Sequence, residues 1–285
     1  MEKIKNKLLS GADDKPMLYD IHFLKNNIKK PVIIYVHGFN GFKDWGNFDL
    51  IANHFASQGF FFVKMNLSHN GTTTDKPEDF DDLDAYSENN YTKELADVEK
   101  MTDWVCDEKN EYADEINTEK IILLGHSRGG GISIIKASED KRIKALITWA
   151  SVGECKTPWG SWNETKMKDW QQNGITYIEN KRTLQLMPLK YQLYEDYKNN
   201  EQRLNIKSAV KRLNIPVQIC HGTQDEAVPY NTFLRFKIWK PKAEFVSVNS
   251  NHVFDRKHPY TEDFIPAKCL MVIESNLKFL KEHNF

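Results

Sequence analysis

The chain has 285 residues, 40% of them hydrophobic, with 39 basic and 40 acidic side chains and a formal net charge of -1. That is enough apolar material for a large core in one or two domains, at roughly 150 residues per domain. The balanced charge gives no global reason to expect nucleic acid or an anionic membrane as a partner.

Residues 1–30 read as an antiparallel introduction. Strands are expected around Ile4–Leu9 and Met17–Leu24, on either side of the turn signal "SGADDKP". "PVIIYVHG" (residues 31–38) is a short, continuous apolar run ending in glycine, which suits a strand buried on both faces. "NFDLIANHFASQG" has apolar residues at helical spacing and a terminal Gly59, and "FFFVKMNL" is the next strand. Residues 68–90 are polar and acidic, so a solvated, functional or mobile loop is expected there in preference to a cation site. "YTKELADVEKMTDWVCDEK" predicts a helix, "KIILLG" a strand, "SRGGGISIIKASE" a helix and "RIKALITWA" a strand. The alternation breaks over 151–212, which is lysine-rich, tryptophan-bearing and helical in part. It resumes with the strand "IPVQICHG", the helix "NTFLRFKIW", the strand "AEFVSV" and a closing helix over 264–282.

Strands alternating with helices imply an α/β architecture, a parallel sheet with helices on both faces. Ligands of such sheets sit beyond the carboxyl ends of the strands. The residues just past each strand are therefore the informative part of the sequence.

After "KIILL" comes Gly125-His126-Ser127-Arg128-Gly129, a G-x-S-x-G between strand and helix. A nucleophilic serine must project from a sharp turn, and the flanking glycines let the chain approach without a Cβ clash. The helix that starts there also aims its dipole at developing negative charge. A phosphate loop needs G-x-x-x-x-G-K-[ST], and a dinucleotide turn needs G-x-G-x-x-G; "GHSRGG" is neither. A serine hydroxyl needs a base, and the base needs an orienting acid, in the chain order Ser, Asp, His. Asp225 in "HGTQDEAVP" is the expected acid, ahead of its neighbour Glu226. His252 in "NSNHVF", just past the last strand, is the expected base, ahead of His258. Two backbone N–H groups should stabilise the oxyanion. The Arg128 amide is one, and the Phe39 amide, in the "HGF" turn after the first central strand, is the other. The Arg128 side chain is expected in a surface ion pair, with recognition of an anionic substrate as the alternative.

These residues resemble the α/β-hydrolase family, over nearly the whole chain outside 151–212. The resemblance rests on "HGF", "GHSRGG", "HGTQDEAVP" and "NSNHVF". It is nearest to the dienelactone-hydrolase and prolyl-oligopeptidase-like branch and to cinnamoyl/feruloyl esterases with an inserted cap. It departs from dienelactone hydrolases in having Ser127 where they carry cysteine. The resemblance implies a mostly parallel sheet flanked by helices, with core residues 1–150 and 213–285 and a cap over 151–212. In the cap, Trp159, Trp162 and Trp170 are candidates to line the substrate pocket, or else to seat the cap on the core.

The expected function is hydrolysis of a small carboxylic ester through an acyl-enzyme on Ser127, with no metal and no organic cofactor. A serine aminopeptidase or amidase and a thioesterase are the alternatives on the same machinery, and a non-catalytic binding protein is the alternative from another class. Expected partners are a small ester or short peptide or amide, with no nucleic acid and no membrane; a homodimer is left open. The four cysteines, Cys106, Cys155, Cys220 and Cys269, form no CxxC pair and read as isolated thiols. The amino terminus lacks the apolar run of a signal peptide, and no stretch approaches the length of a membrane span, so a cytoplasmic location is expected.

Overall fold

The computed structural model describes residues 1–285. The expected introduction is a hairpin of β1 (Glu2–Ser10) and β2 (Pro16–Phe23). The parallel series then runs β3 (Lys30–Val36), β4 (Phe61–Met65), β5 (Ile116–His126), β6 (Ile143–Trp149), β9 (Val217–Gly222) and β10 (Glu244–Val248). These eight strands form one sheet in the order β1-β2-β4-β3-β5-β6-β9-β10. Only β2 runs antiparallel to its neighbours; every pairing from β4 to β10 is parallel. The inner strands are mostly apolar because both faces are covered, and the polar side chains within them, such as Lys64 and Gln218, are buried and bonded.

Helices α1 (Phe48–Ser57) and α9 (Ala267–Glu282) cover one face, and α3 (Tyr91–Cys106), α4 (Arg128–Glu139) and α8 (Asn231–Trp239) pack on the other. Each face has its own core. Phe48, Ile51, Phe55, Val272 and Phe279 pack on Ile33, Tyr35 and Ile147. Leu95, Val98, Met101 and Ile132 pack on Val32, Ile34 and Leu123. No helix is long and apolar enough to cross a membrane.

Two segments differ from expectation. Strand β5 starts at Ile116, four residues before the apolar run at Lys120, because Ile116 and Asn117 already pair with Lys30 and Pro31 of β3; a register shift follows, and the polar Thr118 and Glu119 there are exposed. Residues 68–90 are not a wholly solvated loop. They fold into α2 (Leu83–Ser87) and bury Phe80 and Tyr86. Three of their seven acidic groups are paired with lysines: Asp81 with Lys76, Asp82 with Lys15 and Glu88 with Lys190.

The chain between β6 and β9 leaves the carboxyl edge of the sheet. It contains α5 (Glu164–Asn173), a two-stranded antiparallel sheet of β7 (Ile175–Glu179) and β8 (Leu186–Lys190), α6 (Gln192–Asn199) and α7 (Ile206–Arg212). The α5–α6 part docks on the 80–92 segment. Gln185 donates to the Phe80 carbonyl at 2.8 Å, Asn90 to Gln192 at 2.8 Å, and Thr92 Oγ1 to Asp196 at 2.6 Å. Helix α7 packs instead against α4, with Ile206 over Gly131, in the position of a crossover helix between β6 and β9.

Candidate active site

Four strand ends converge on one edge. Strand β3 runs into His37-Gly38-Phe39, β5 into Ser127, β9 into the loop of Asp225, and β10 into the loop of His252. Ser127 sits on the β5–α4 turn with φ 56° and ψ −120°, a conformation that L-residues strongly disfavour. Its backbone is held there: its N–H donates to the Trp149 carbonyl at 2.9 Å, and its carbonyl accepts from Gly130 at 3.0 Å and Val152 at 3.2 Å. Gly129 is required by space. A Cβ there would lie 2.2 Å from the His37 carbonyl oxygen, so any side chain would push α4 off the end of β3.

Asp225 is buried. Its Oδ1 accepts from the amides of Ala227 at 2.9 Å and Val228 at 2.8 Å, and its Oδ2 lies 2.8 Å from His252 Nδ1. His221, directly beneath, donates Nε2–H to the Val228 carbonyl at 2.9 Å and stands 3.3 Å from the same Oδ2. Burial works against the Asp225 charge, but the bonds from His221, His252 and Val228 outweigh it and hold the carboxyl well below its usual range. A carboxylate so placed fixes the His252 proton on Nδ1 and leaves Nε2 free as a base. Ser127 and His252 line the same cavity and share no hydrogen bond. His258, the lesser candidate, accepts the Gly46 N–H at 2.9 Å and stacks on Trp45, away from Asp225.

The amides of Phe39 and Arg128 have no acceptor within the protein. Gly38 brings the first of them close, since a Cβ at Gly38 would lie 2.9 Å from the Ser127 Cβ. The turn is set by His37, a residue that the motif "HGF" contains without revealing its role. Its Nδ1–H donates to the Gly38 carbonyl at 2.8 Å, and its Nε2 accepts the Leu67 N–H at 3.1 Å. Burial lowers its pKa to about 4, against the Gly38 bond, so the ring is neutral and its tautomer is fixed. His126 is a second site residue that the sequence does not single out. Its Nε2–H donates to the His252 carbonyl at 3.1 Å, and burial holds it neutral, with its pKa well below the ordinary value.

The cavity has a volume of about 140 Å³ and is lined by Tyr35, Phe39, Trp45, Phe48, His126 and Val253 together with Ser127 and His252. Trp159, Trp162 and Trp170 are not on its wall. Trp159 and Trp170 are buried against Tyr91, Tyr191 and Tyr194, and Trp170 donates to the Leu189 carbonyl at 2.8 Å. Trp162 packs edge-on against Trp170 and under Lys166. These rings seat the insertion.

The Arg128 side chain is not in a surface pair. It is 1% exposed and lies over the Tyr91 ring at 4.0 Å. It donates to Glu94 at 3.1 Å through Nε, stands 2.9 Å from it through Nη2, and donates to the Thr157 carbonyl at 3.3 Å. The first turn of α4 is sandwiched between α3 and the start of the insertion, which removes this guanidinium from water.

Asp20, His22 and Asp49 offer a set of metal-ligand types, but the Lys64 ammonium already lies among Asp20, Asp44 and Asp49, where a cation would be. All four cysteines are free thiols.

The family model described as alpha/beta hydrolase fold matches residues 31–180. Among curated proteins none matches the sequence. The ferulic acid-bound Est1E of Butyrivibrio proteoclasticus is similar over 97% of this chain and 98% of its own, at 20% identity and a TM-score of 0.72. The alpha/beta hydrolase GrgF of Penicillium sp. sh18 is similar over 99% of both chains, at 15% identity and a TM-score of 0.72. A putative dienelactone hydrolase of Klebsiella pneumoniae is similar over 99% of this chain and 100% of its own, at 15% identity and a TM-score of 0.60.

Proposed function

Since the chain belongs to the α/β-hydrolase family, we propose that it is a serine hydrolase that cleaves a small carboxylic ester through an acyl-enzyme on Ser127. The observation that carries this is the strained Ser127 turn, on one cavity with a histidine that is hydrogen-bonded to a buried aspartate. His252 Nε2 takes the Ser127 proton as Oγ attacks the ester carbonyl. Asp225 stabilises the imidazolium. The Phe39 and Arg128 amides, free of other acceptors, bond the oxyanion. His252 returns the proton to the leaving alcohol, then activates the water that releases the acid.

The esterase reading draws on the structural likeness to Est1E. The reading as an aminopeptidase draws on the acidic 75–88 segment, and the lysine pairing of Asp81, Asp82 and Glu88 weakens it. Of the expected 151–212 cap, residues 151–205 are a docked cap that borders the site without lining the cavity, while helix α7 packs on α4 and belongs with the core.

A fluorophosphonate tests the proposal. The expected result is one adduct on Ser127, found by peptide mass spectrometry and lost in Ser127→Ala. A wild-type protein that stays unlabelled points to a binding protein, and labelling that survives Ser127→Ala disproves the nucleophile.

A further inference from the structure

Two polar groups on the wall of the Ser127 cavity have no partner within the protein. Tyr35 is 1% exposed and lines the cavity, and its hydroxyl makes no hydrogen bond. The hydroxyl is not among the sealed polar atoms, so it opens on the cavity. Burial raises its pKa, and it stays neutral, able both to donate and to accept. His126 supplies the second group. Its Nε2–H is used on the His252 carbonyl at 3.1 Å, and burial keeps the ring neutral, so Nδ1 carries a bare lone pair. Nδ1 has no donor in the chain and is not sealed either, on a ring that lines the same cavity.

Both groups stand on one face of the sheet. Tyr35 pairs in register with Leu124, so His126, two residues further along β5, is its diagonal neighbour on the face that α1 covers. Phe48 of α1 stacks on the Tyr35 ring at 3.8 Å and fixes its direction. The His126 ring centre lies 4.8 Å from that of His252, beside the nucleophile. Buried polar groups are normally bonded. A free hydroxyl and a bare acceptor on one small cavity require a ligand group that donates and accepts at once. A carboxylate or a ketone has no proton for Nδ1. An ammonium would meet a wall with no aspartate or glutamate. A hydroxyl suits both groups: its O–H donates to His126 Nδ1, and its oxygen accepts from Tyr35.

We propose that this cavity recognises a hydroxyl group, so that the preferred substrates are short hydroxylated esters. This rests on the hydrolase reading and names its substrate class. A cavity of about 140 Å³ is close to one that holds a benzene ring, roughly 150 Å³. It must also take the reacting ester group, so the hydroxyl sits within a few carbons of the carbonyl. A site built around a substrate hydroxyl discriminates strongly, because the analogue without one leaves the site's own polar groups unpaired.

Two pairs of esters test this and separate a hydroxyl on the acyl part from one on the alcohol part. Methyl 3-hydroxybutanoate is compared with methyl 3-methylbutanoate, and 2-hydroxyethyl acetate with propyl acetate. Each pair exchanges a hydroxyl for a methyl group. The expected wild-type kcat/KM favours the hydroxylated ester tenfold or more in one pair. Tyr35→Phe removes a hydroxyl that has no partner in the protein, so the fold is not at stake, and it is expected to cut that preference at least fivefold. Preferences below tenfold in both pairs, or a preference that Tyr35→Phe cuts less than fivefold, overturn the proposal. If no ester is turned over, the Kd of each, by NMR titration of the wild-type protein, decides instead. A tenfold tighter hydroxylated ester in one pair upholds the proposal, and a smaller difference in both overturns it. Fluorophosphonate labelling of Ser127 decides the hydrolase reading separately.

Discussion

Two buried arginines flank Ser127 in opposite electrical settings. On the insertion side, Arg128 is held by Glu94, the Thr157 carbonyl and the face of Tyr91. On the cavity side, Arg256 has one bond to Val253, three aromatic walls and no counter-charge. The first arrangement closes on itself and joins the nucleophile helix to α3 and to the insertion. The second leaves donors over, and so do the neighbouring amides of Phe39 and Arg128 and the hydroxyl of Tyr35. Polar groups satisfied within the chain serve stability. The Phe39 and Arg128 amides and the Tyr35 hydroxyl, left open at the cavity, are available to a substrate, whereas the Arg256 Nη donors lie behind Trp45 and Phe48, out of its reach.

The sharpest way to break this contrast is at Ser127 itself, on the open side. Glycine tolerates φ 56°, ψ −120° without the Cβ clash that serine bears there. Ser127→Gly is expected to lower kcat by about 10⁵–10⁶-fold. It is also expected to raise unfolding stability by about 1–3 kcal/mol, the usual cost of such a conformation. Ester turnover and urea unfolding on one preparation measure both. A loss of activity with a loss of stability would place Ser127 among the structural residues instead.

Asp225→Asn is the next in size. Asparagine keeps the Oδ1 bonds to Ala227 and Val228, but its amide N–H faces His252 Nδ1. The histidine must then carry its proton on Nε2, where it cannot accept one from serine. A kcat loss of about 10⁴-fold with little change in KM is expected. A loss below tenfold would mean that His252 does not depend on this carboxylate.

The two arginines can then be compared directly. Glu94→Gln strands the Arg128 charge in a dry site, and a stability loss of about 3–5 kcal/mol is expected. Arg256→Met removes a cation that has no carboxylate partner, and a change within about 1 kcal/mol is expected. Equal losses in both variants, by denaturant unfolding, would erase the distinction between the two sides.

The alternation of strands and helices, the chemistry at the strand ends and the turn at Ser127 are legible in the sequence because each rests on local pattern, whereas the order of strands in the sheet is not. An apolar run ending in glycine announces a buried strand, and G-x-S-x-G carries its own steric reason. Arg256 and Tyr35 are not legible. An arginine after "HVFD" and a tyrosine inside "VIIYV" look like any others until the fold shows which partners they lack. The three insertion tryptophans mislead for a related reason: an aromatic residue announces burial, not the surface it is buried against. Arg128 misleads because a charge near a helix start is usually solvated. Only the docking of α3 and of the Thr157 segment on both sides of it removes the water.

The smallest expected effect concerns His37, which holds the turn bearing the Phe39 amide. The folded ring has a pKa of about 4, lowered chiefly by burial, against about 6.5 in an unfolded chain. Its neutral form is therefore favoured by folding. The stability this provides is present above pH 6.5 and is lost as pH falls through about 4. Between those values the unfolded histidine binds a proton that the folded one does not, which gives a slope of about 1.4 kcal/mol per pH unit. His22 and His69, also lowered to about 4 by burial, act in the same direction, and Asp97, raised by burial to about 7, opposes them. The total slope is thus a sum over several groups, and a difference between two proteins isolates one of them. His37→Asn keeps a donor for the Gly38 carbonyl but cannot titrate. Urea unfolding from pH 6.5 to 4.5 should show its slope shallower than that of wild type by about one proton. Equal slopes would require His37 to be charged in the fold, and a charged ring could not accept the Leu67 N–H that fixes the turn.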